Sequence, residues 1–213
     1  MIKAVTPSNM LKIKHSTFEF EAPWSNAFGS QPSDSGYWMI WGKEKNGKTW
    51  FALLLAKYLC TKKRVLYISG EEGLEKEFVT SCRRAGITEK TRNIGFSEYI
   101  PLEHIEVLLG RRNAPKVVVI DNVTVYKDDL KGKTLFELKD KYPDVLFIFL
   151  AHEDRKEPYT APAKLCRRLA KIIVYVEGLK AIVKGRCEGG EYLINEERAT
   201  LYWGIEQSEH EQD

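Results

Sequence analysis

Gly42, Gly47, Lys48 and Thr49 in "GKEKNGKT" follow one spacing: glycine, four residues, glycine, lysine, then a hydroxyl side chain. Residues of these types at this spacing handle phosphate. The glycines let successive backbone N–H groups curl around phosphate oxygens, the lysine ammonium reaches the terminal phosphates, and the hydroxyl ligates Mg²⁺. The stretch Gly42, Lys43, Glu44, Lys45, Asn46, Gly47, Lys48, Thr49 and Trp50 is therefore the expected cradle for a nucleoside triphosphate. Hydrolysis needs two further groups, a carboxylate beside the metal and a group that activates water. Asp121, closing "KVVVI", answers the first need. Glu71 and Glu72, after "VLYISG", both answer the second, with Glu71 preferred. His152, after "VLFIFLA", stands where a side chain could hydrogen-bond a γ-phosphate or the attacking water.

Each candidate ends or follows a short apolar run, and the runs tell what must position them. "YWMIW", "VLYIS" (65–69), "KVVVID" (116–121), "VLFIFLA" (145–151) and "KIIVYV" (171–176) alternate with helix-length segments. Near-continuous apolar strands are buried on both faces, which requires a parallel sheet covered by helices. In such α/β folds ligands gather at the C-terminal ends of the strands, where all the candidates fall. After Gly178 closer spacing suggests antiparallel edge strands, "KAIVKGR", "EYLIN" and "TLYWG". Residues 1–36 read as an irregular lead-in with a short strand at 17–21, residues 37–205 as the folded domain, and residues 206–213 as a frayed acidic tail.

Composition narrows the setting. With 213 residues, 43% hydrophobic and 30% charged, the chain suits one buried core. It lacks the run of roughly 20 apolar residues that a membrane helix needs, and no membrane partner is expected. The four cysteines stand singly, in neither a zinc-ligand nor a disulfide spacing, and with no export signal the expected location is cytoplasmic. A net charge of +3 is too small to name a partner, so clustering must.

From Tyr37 to Trp203 the chain resembles the RecA-like P-loop ATPase superfamily, nearest the branch that holds the recombination protein RadA (Sms), DnaB-type helicases and KaiC. The resemblance, to the ATPase core only, is carried by "VLYISGEEG", "VVVIDNV", "FIFLAHEDRKE", "APAKLCRRLAKIIVYVEG" and the K-x-R of "VKGRCEGG". It implies Glu71 as the water-activating carboxylate, Asp121 beside Mg²⁺, and His152 as the γ-phosphate sensor. It also implies Lys184 and Arg186 as a finger reaching the nucleotide of a neighbouring copy in a ring or filament. In this superfamily the loops after the Asp121 and His152 strands hold single-stranded DNA. Here Arg155, Lys156, Lys164, Arg167 and Arg168, with Tyr159 among them, supply charge for phosphates and a ring for stacking.

The expected function is thus a Mg-ATP-dependent ATPase acting on single-stranded DNA in replication, recombination or repair. Its alternative is a KaiC-like regulatory or scaffold ATPase that works on protein partners. A small-molecule kinase is the weaker third, since no lid-like arginine set is present.

Overall fold

A computed structural model describes residues 4–210 of the chain. The helices are α1 (Pro7–Met10), α2 (Trp24–Phe28), α3 (Lys48–Leu59), α4 (Lys76–Arg84), α5 (Leu102–Leu109), α6 (Gly132–Lys141), α7 (Ala161–Leu169) and α8 (Glu196–His210). The strands are β1 (Gly36–Gly42), β2 (Val65–Ser69), β3 (Ile94–Glu98), β4 (Val117–Asp121), β5 (Leu146–Asp154), β6 (Glu157–Pro158), β7 (Ile172–Glu177), β8 (Lys180–Gly185) and β9 (Gly190–Leu193). They form one sheet in the order β3-β2-β4-β5-β1-β7-β8-β9, with β6 paired to β5. Pairing is parallel from β3 through β7 and antiparallel for β8 and β9.

The expected α/β architecture is what forms, and burial explains it. All seven residues of β1 are buried, so alternate side chains feed two cores. Trp38 and Ile40 join α3, Tyr67, Val119 and Ile148 on one face. Tyr37, Met39 and Trp41 join Ile105, Leu135, Leu138 and Cys166 on the other. Each fully buried aliphatic or aromatic side chain contributes roughly 1.5–3 kcal/mol relative to exposure, so a strand so covered is held from both sides. The rigid product is a row of strand tips at a fixed edge.

Several elements differ from the sequence reading. "TLYWG" is not an edge strand but lies within α8. Asn195 caps that helix by accepting from the Arg198 N–H at 2.9 Å, and Glu196 and Glu197 sit in its first turn, where the helix dipole favours acids. The helix runs on to His210, so 206–210 is helical where a frayed tail was expected, and 211–213 lie outside the described residues. Strand β3 was not foreseen, because Gly95, Ser97 and Glu98 break the apolar run of a half-buried edge strand. Among the described residues of the lead-in, an isolated bridge, Thr17 to Ser33, stands in place of a strand at 17–21. The lead-in's Phe18, Phe20 and Phe28 are nonetheless buried in the core against Trp38, and its Trp24 is buried against Phe28 and Phe51.

Candidate nucleotide site

Register assembles the site. Gly42 pairs with His152 across β1 and β5, and Ser69 pairs with Asp121 across β2 and β4. With β4 and β5 adjacent, the phosphate loop, His152, Asp121 and the residues after Ser69 line up along one edge of the sheet. A cleft of about 500 Å³ opens there, walled by Lys48, Thr49, Glu71, Glu72, Asp121, Asn122 and His152 among others.

The loop needs its glycines. Gly42 takes φ 152° and a Cβ there would run into the Val176 carbonyl oxygen, while Gly47 takes φ 98° and a Cβ would meet Leu179 at 2.7 Å. Lys43 and Asn46 between them are structural fasteners. Lys43 pairs with Glu177 at 2.7 Å, and Asn46 accepts the Gly178 N–H and donates to the Glu44 carbonyl, both at 2.9 Å. Gly178 and Leu179, at φ 52° and 59°, form the tight turn from β7 to β8 that buttresses the loop. Glu44, Lys45, Gly47, Lys48, Thr49 and Trp50 line the cleft, while the side chains of Lys43 and Asn46 face this turn.

Lys48 is buried and donates to the Lys43 carbonyl at 2.5 Å; burial lowers its pKa, opposed chiefly by Asp121. Asp121 accepts from the Tyr67 hydroxyl at 2.7 Å and from the Thr49 side chain. Burial pushes its carboxyl up to about 6, against the pull of those two hydrogen bonds. Thr49 and Asp121 thus already touch, as a hydroxyl ligand and a carboxylate beside one Mg²⁺ must, and the ammonium of Lys48 lies nearby. The donor set fits a magnesium-bound triphosphate.

Glu71 accepts from the Asn122 amide at 2.5 Å and meets His152 Nε2 at 3.0 Å. Glu72 lines the same cleft, its pKa raised by burial and then by Glu71. Asn122 and Tyr67 escaped the sequence reading. Asn122 directly follows the strand-ending aspartate, a position that could have flagged it, whereas Tyr67 looks like any core residue.

The remaining candidates lie elsewhere. Lys184 pairs with Ile173 and the Arg186 N–H with the Lys171 carbonyl, at the start of β7. The Lys171 N–H bonds Tyr37, five residues before Gly42, and Ile173 pairs with Met39, three before it, so Arg186 and Lys184 sit roughly 16 and 10 Å from the loop along the strand. Both are exposed and neither lines the cleft of its own chain. Arg155 and Lys156, at φ 50° and 61°, form the tip of a β5–β6 hairpin that the sequence reading missed. Lys164 and Arg168 are exposed on α7. Arg167 is engaged: it lies over the Trp41 ring at 4.6 Å and pairs with Glu157 at 3.1 Å.

No family model matches the sequence, and no curated protein matches it. Solved structures do. The flagellar accessory protein FlaH from Methanocaldococcus jannaschii superposes with a TM-score of 0.61 at 14% identity, over 84% of this chain and 92% of its own. The KaiC-like protein PH0186 from Pyrococcus horikoshii OT3 gives 0.57 at 16% identity, over 84% and 94%. The fold is RecA-like. The RecA-like order puts the phosphate loop on β1 with Asp121 two strands away, which accounts for the Thr49–Asp121 contact. Among the described residues no helix is long and apolar enough to cross a membrane.

Proposed function

We propose that this chain is a cytoplasmic Mg-ATP-dependent ATPase whose nucleotide lies between copies of itself. The carrying observation is the meeting of Lys48, Thr49, Asp121, Glu71 and His152 in one cleft. Bound Mg²⁺ would neutralise phosphate charge and be held by Thr49 and Asp121. The loop amides and Lys48 grip the phosphates, with Lys48 leaving the Lys43 carbonyl to do so. Glu71, held by Asn122 and His152, takes the proton of the attacking water, and the imidazole of His152 reports the γ-phosphate to the hairpin that follows it. Lys184 and Arg186, remote from the cleft of their own chain, serve the neighbouring copy in a ring or filament. Steady-state turnover tests this reading. Lys48→Ala should lose ATP binding, Glu71→Gln should bind ATP without hydrolysing it, and Arg186→Ala should bind but turn over slowly until mixed with a cleft-inactive copy that keeps Arg186. An Arg186→Ala protein with full turnover contradicts the action between copies.

The partner we propose is single-stranded DNA, bound by Arg155, Lys156, Lys164 and Arg168 as they project beside the hairpin tip, with the exposed ring of Tyr159 available for stacking. Arg167 joins them only if its pairing with Glu157 opens. Single-strand affinity should fall with log salt by roughly 0.7 per neutralised phosphate, and loss of Arg155 and Lys156 together should flatten that slope. Binding of a protein partner with no DNA affinity at low salt would favour the scaffold reading.

A further inference from the structure

The cleft extends beyond the phosphate machinery, and its other end has a different chemistry. Trp50, one residue past Thr49 in the first turn of α3, carries the guanidinium of Arg84 over its ring, 5.1 Å from the centroid. Arg84 ends α4, eight residues from Lys76, so it stands about 12 Å along that helix from the turn that holds Glu71 and Glu72. The indole Nε1 of Trp50 is buried without a partner among the described residues, so the ring presents a face and not a donor. Ser81, one turn earlier on α4, Leu179 from the β7–β8 turn and Arg198 from α8 complete the walls.

Arg84 makes no ion pair among the described residues, and its side chain is exposed to the cleft. A guanidinium is planar, weakly hydrated and prefers to stack on π-systems. Backed by an indole on one side, its other face is a ready platform for a second flat, electron-rich ring.

We infer that the Trp50–Arg84 stack is the nucleoside platform of the cleft, with the base lying on the open face of the Arg84 guanidinium and Arg198 closing over the ribose side from α8. This rests on the nucleotide reading above and adds a specificity to it. Recognition by stacking scales with ring area, so purine triphosphates are preferred over pyrimidine ones. Among the described residues, Ser81 is the neutral hydrogen-bonding side chain at this end apart from the partnerless Trp50 indole, which leaves adenine and guanine poorly distinguished. The substrate class is therefore purine nucleoside triphosphates.

Calorimetric titration of the full chain with the magnesium complexes of ATP, GTP, CTP and inorganic tripolyphosphate separates the platform from the loop. ATP and GTP should bind with similar affinity and both more tightly than CTP. Arg84→Ala should weaken ATP by roughly tenfold to hundredfold, the worth of one stacked base, and shift tripolyphosphate far less. Arg84→Tyr, which restores a flat surface without the charge, should recover most of the ATP affinity, a rescue that a purely structural arginine would not show. If Arg84→Ala weakens ATP and tripolyphosphate equally, or Arg84→Tyr fails to recover ATP, the platform is overturned while the phosphate loop stands. If the parent chain binds neither ATP nor tripolyphosphate, the loop reading fails and takes the platform with it.

Discussion

In the lead-in, Phe20 meets Tyr58, Phe28 and Trp38 edge-on at 5.1, 5.7 and 6.4 Å, ring against ring, with Phe20, Phe28 and Trp38 buried and Tyr58 half-buried. At the tips of β2, β4 and β5, Glu71, Asn122 and His152 instead form a chain of polar contacts, part of it exposed, with Lys48 buried and Asp121 half-buried beside it. The first region is arranged so that each neighbour lowers the energy of the next. The second holds charged groups where burial opposes their charge, lowering the pKa of Lys48 and raising that of Asp121. Stability is concentrated in one and given up in the other, the distribution expected of a scaffold carrying a binding site.

Substitutions in the two regions should therefore move different observables. The largest effect belongs to the site: Glu71→Gln should cut turnover by roughly 10²–10⁴-fold, the usual range for a lost general base, with the melting temperature almost unchanged. In the aromatic block the reverse holds. Phe28→Ala should cost about 3–5 kcal/mol in chemical denaturation, since Phe28 is fully buried and stacks on Trp38 at 5.1 Å, while the affinity for ATP of the folded fraction stays the same.

Asp121 sharpens the contrast because its charge costs stability. Between the ordinary carboxylate value of 3.8 and about 6, the folded protein keeps a proton that the unfolded chain has released. Stability from this group is thus full below 3.8 and lost as pH rises through about 6. Asp121→Asn should remove that slope and, free of nucleotide, be more stable than the parent at pH 7 by on the order of 2 kcal/mol, while losing magnesium-dependent ATP binding. A variant less stable than its parent at pH 7 would show that the carboxylate is a net support of the fold. The smallest effect is at Arg167, whose partly exposed pairing with Glu157 and stack on Trp41 should be worth about 1 kcal/mol. Its loss should loosen the β5–β6 hairpin, measured by hydrogen exchange of the Lys156 amide, more than it lowers global stability.

What could be read from the chain alone follows the same division. The five central strands declared themselves because burial on both faces forces uninterrupted apolar runs, and strand tips in α/β folds carry the site. Gly42, Gly47, Lys48 and Thr49 stood out because a phosphate loop would demand those residue types at fixed local spacing, and the structure sets them at the cleft between β1 and α3. Contacts made across strands were not. Tyr67 and Asp121 are 54 residues apart and Asn122 and Glu71 are 51 apart, joined only by strand order. The lead-in looked irregular because its aromatics, two apart at Phe18 and Phe20 and four apart at Trp24 and Phe28, sustain neither a strand nor a helix period for more than one repeat, although all four are buried. "TLYWG" misled because β-branched and aromatic residues favour strands, while the Asn195 cap and the two glutamates after it set the helix.

The most direct measurement is a crystal structure with magnesium and a non-hydrolysable ATP analogue. Lys48 Nζ should have left the Lys43 carbonyl for the phosphates, with Thr49 and Asp121 beside the metal and Glu71 facing the terminal phosphate. A triphosphate bound anywhere but the loop between Gly42 and Thr49, or Lys48 still on the Lys43 carbonyl with nucleotide in place, would contradict the account.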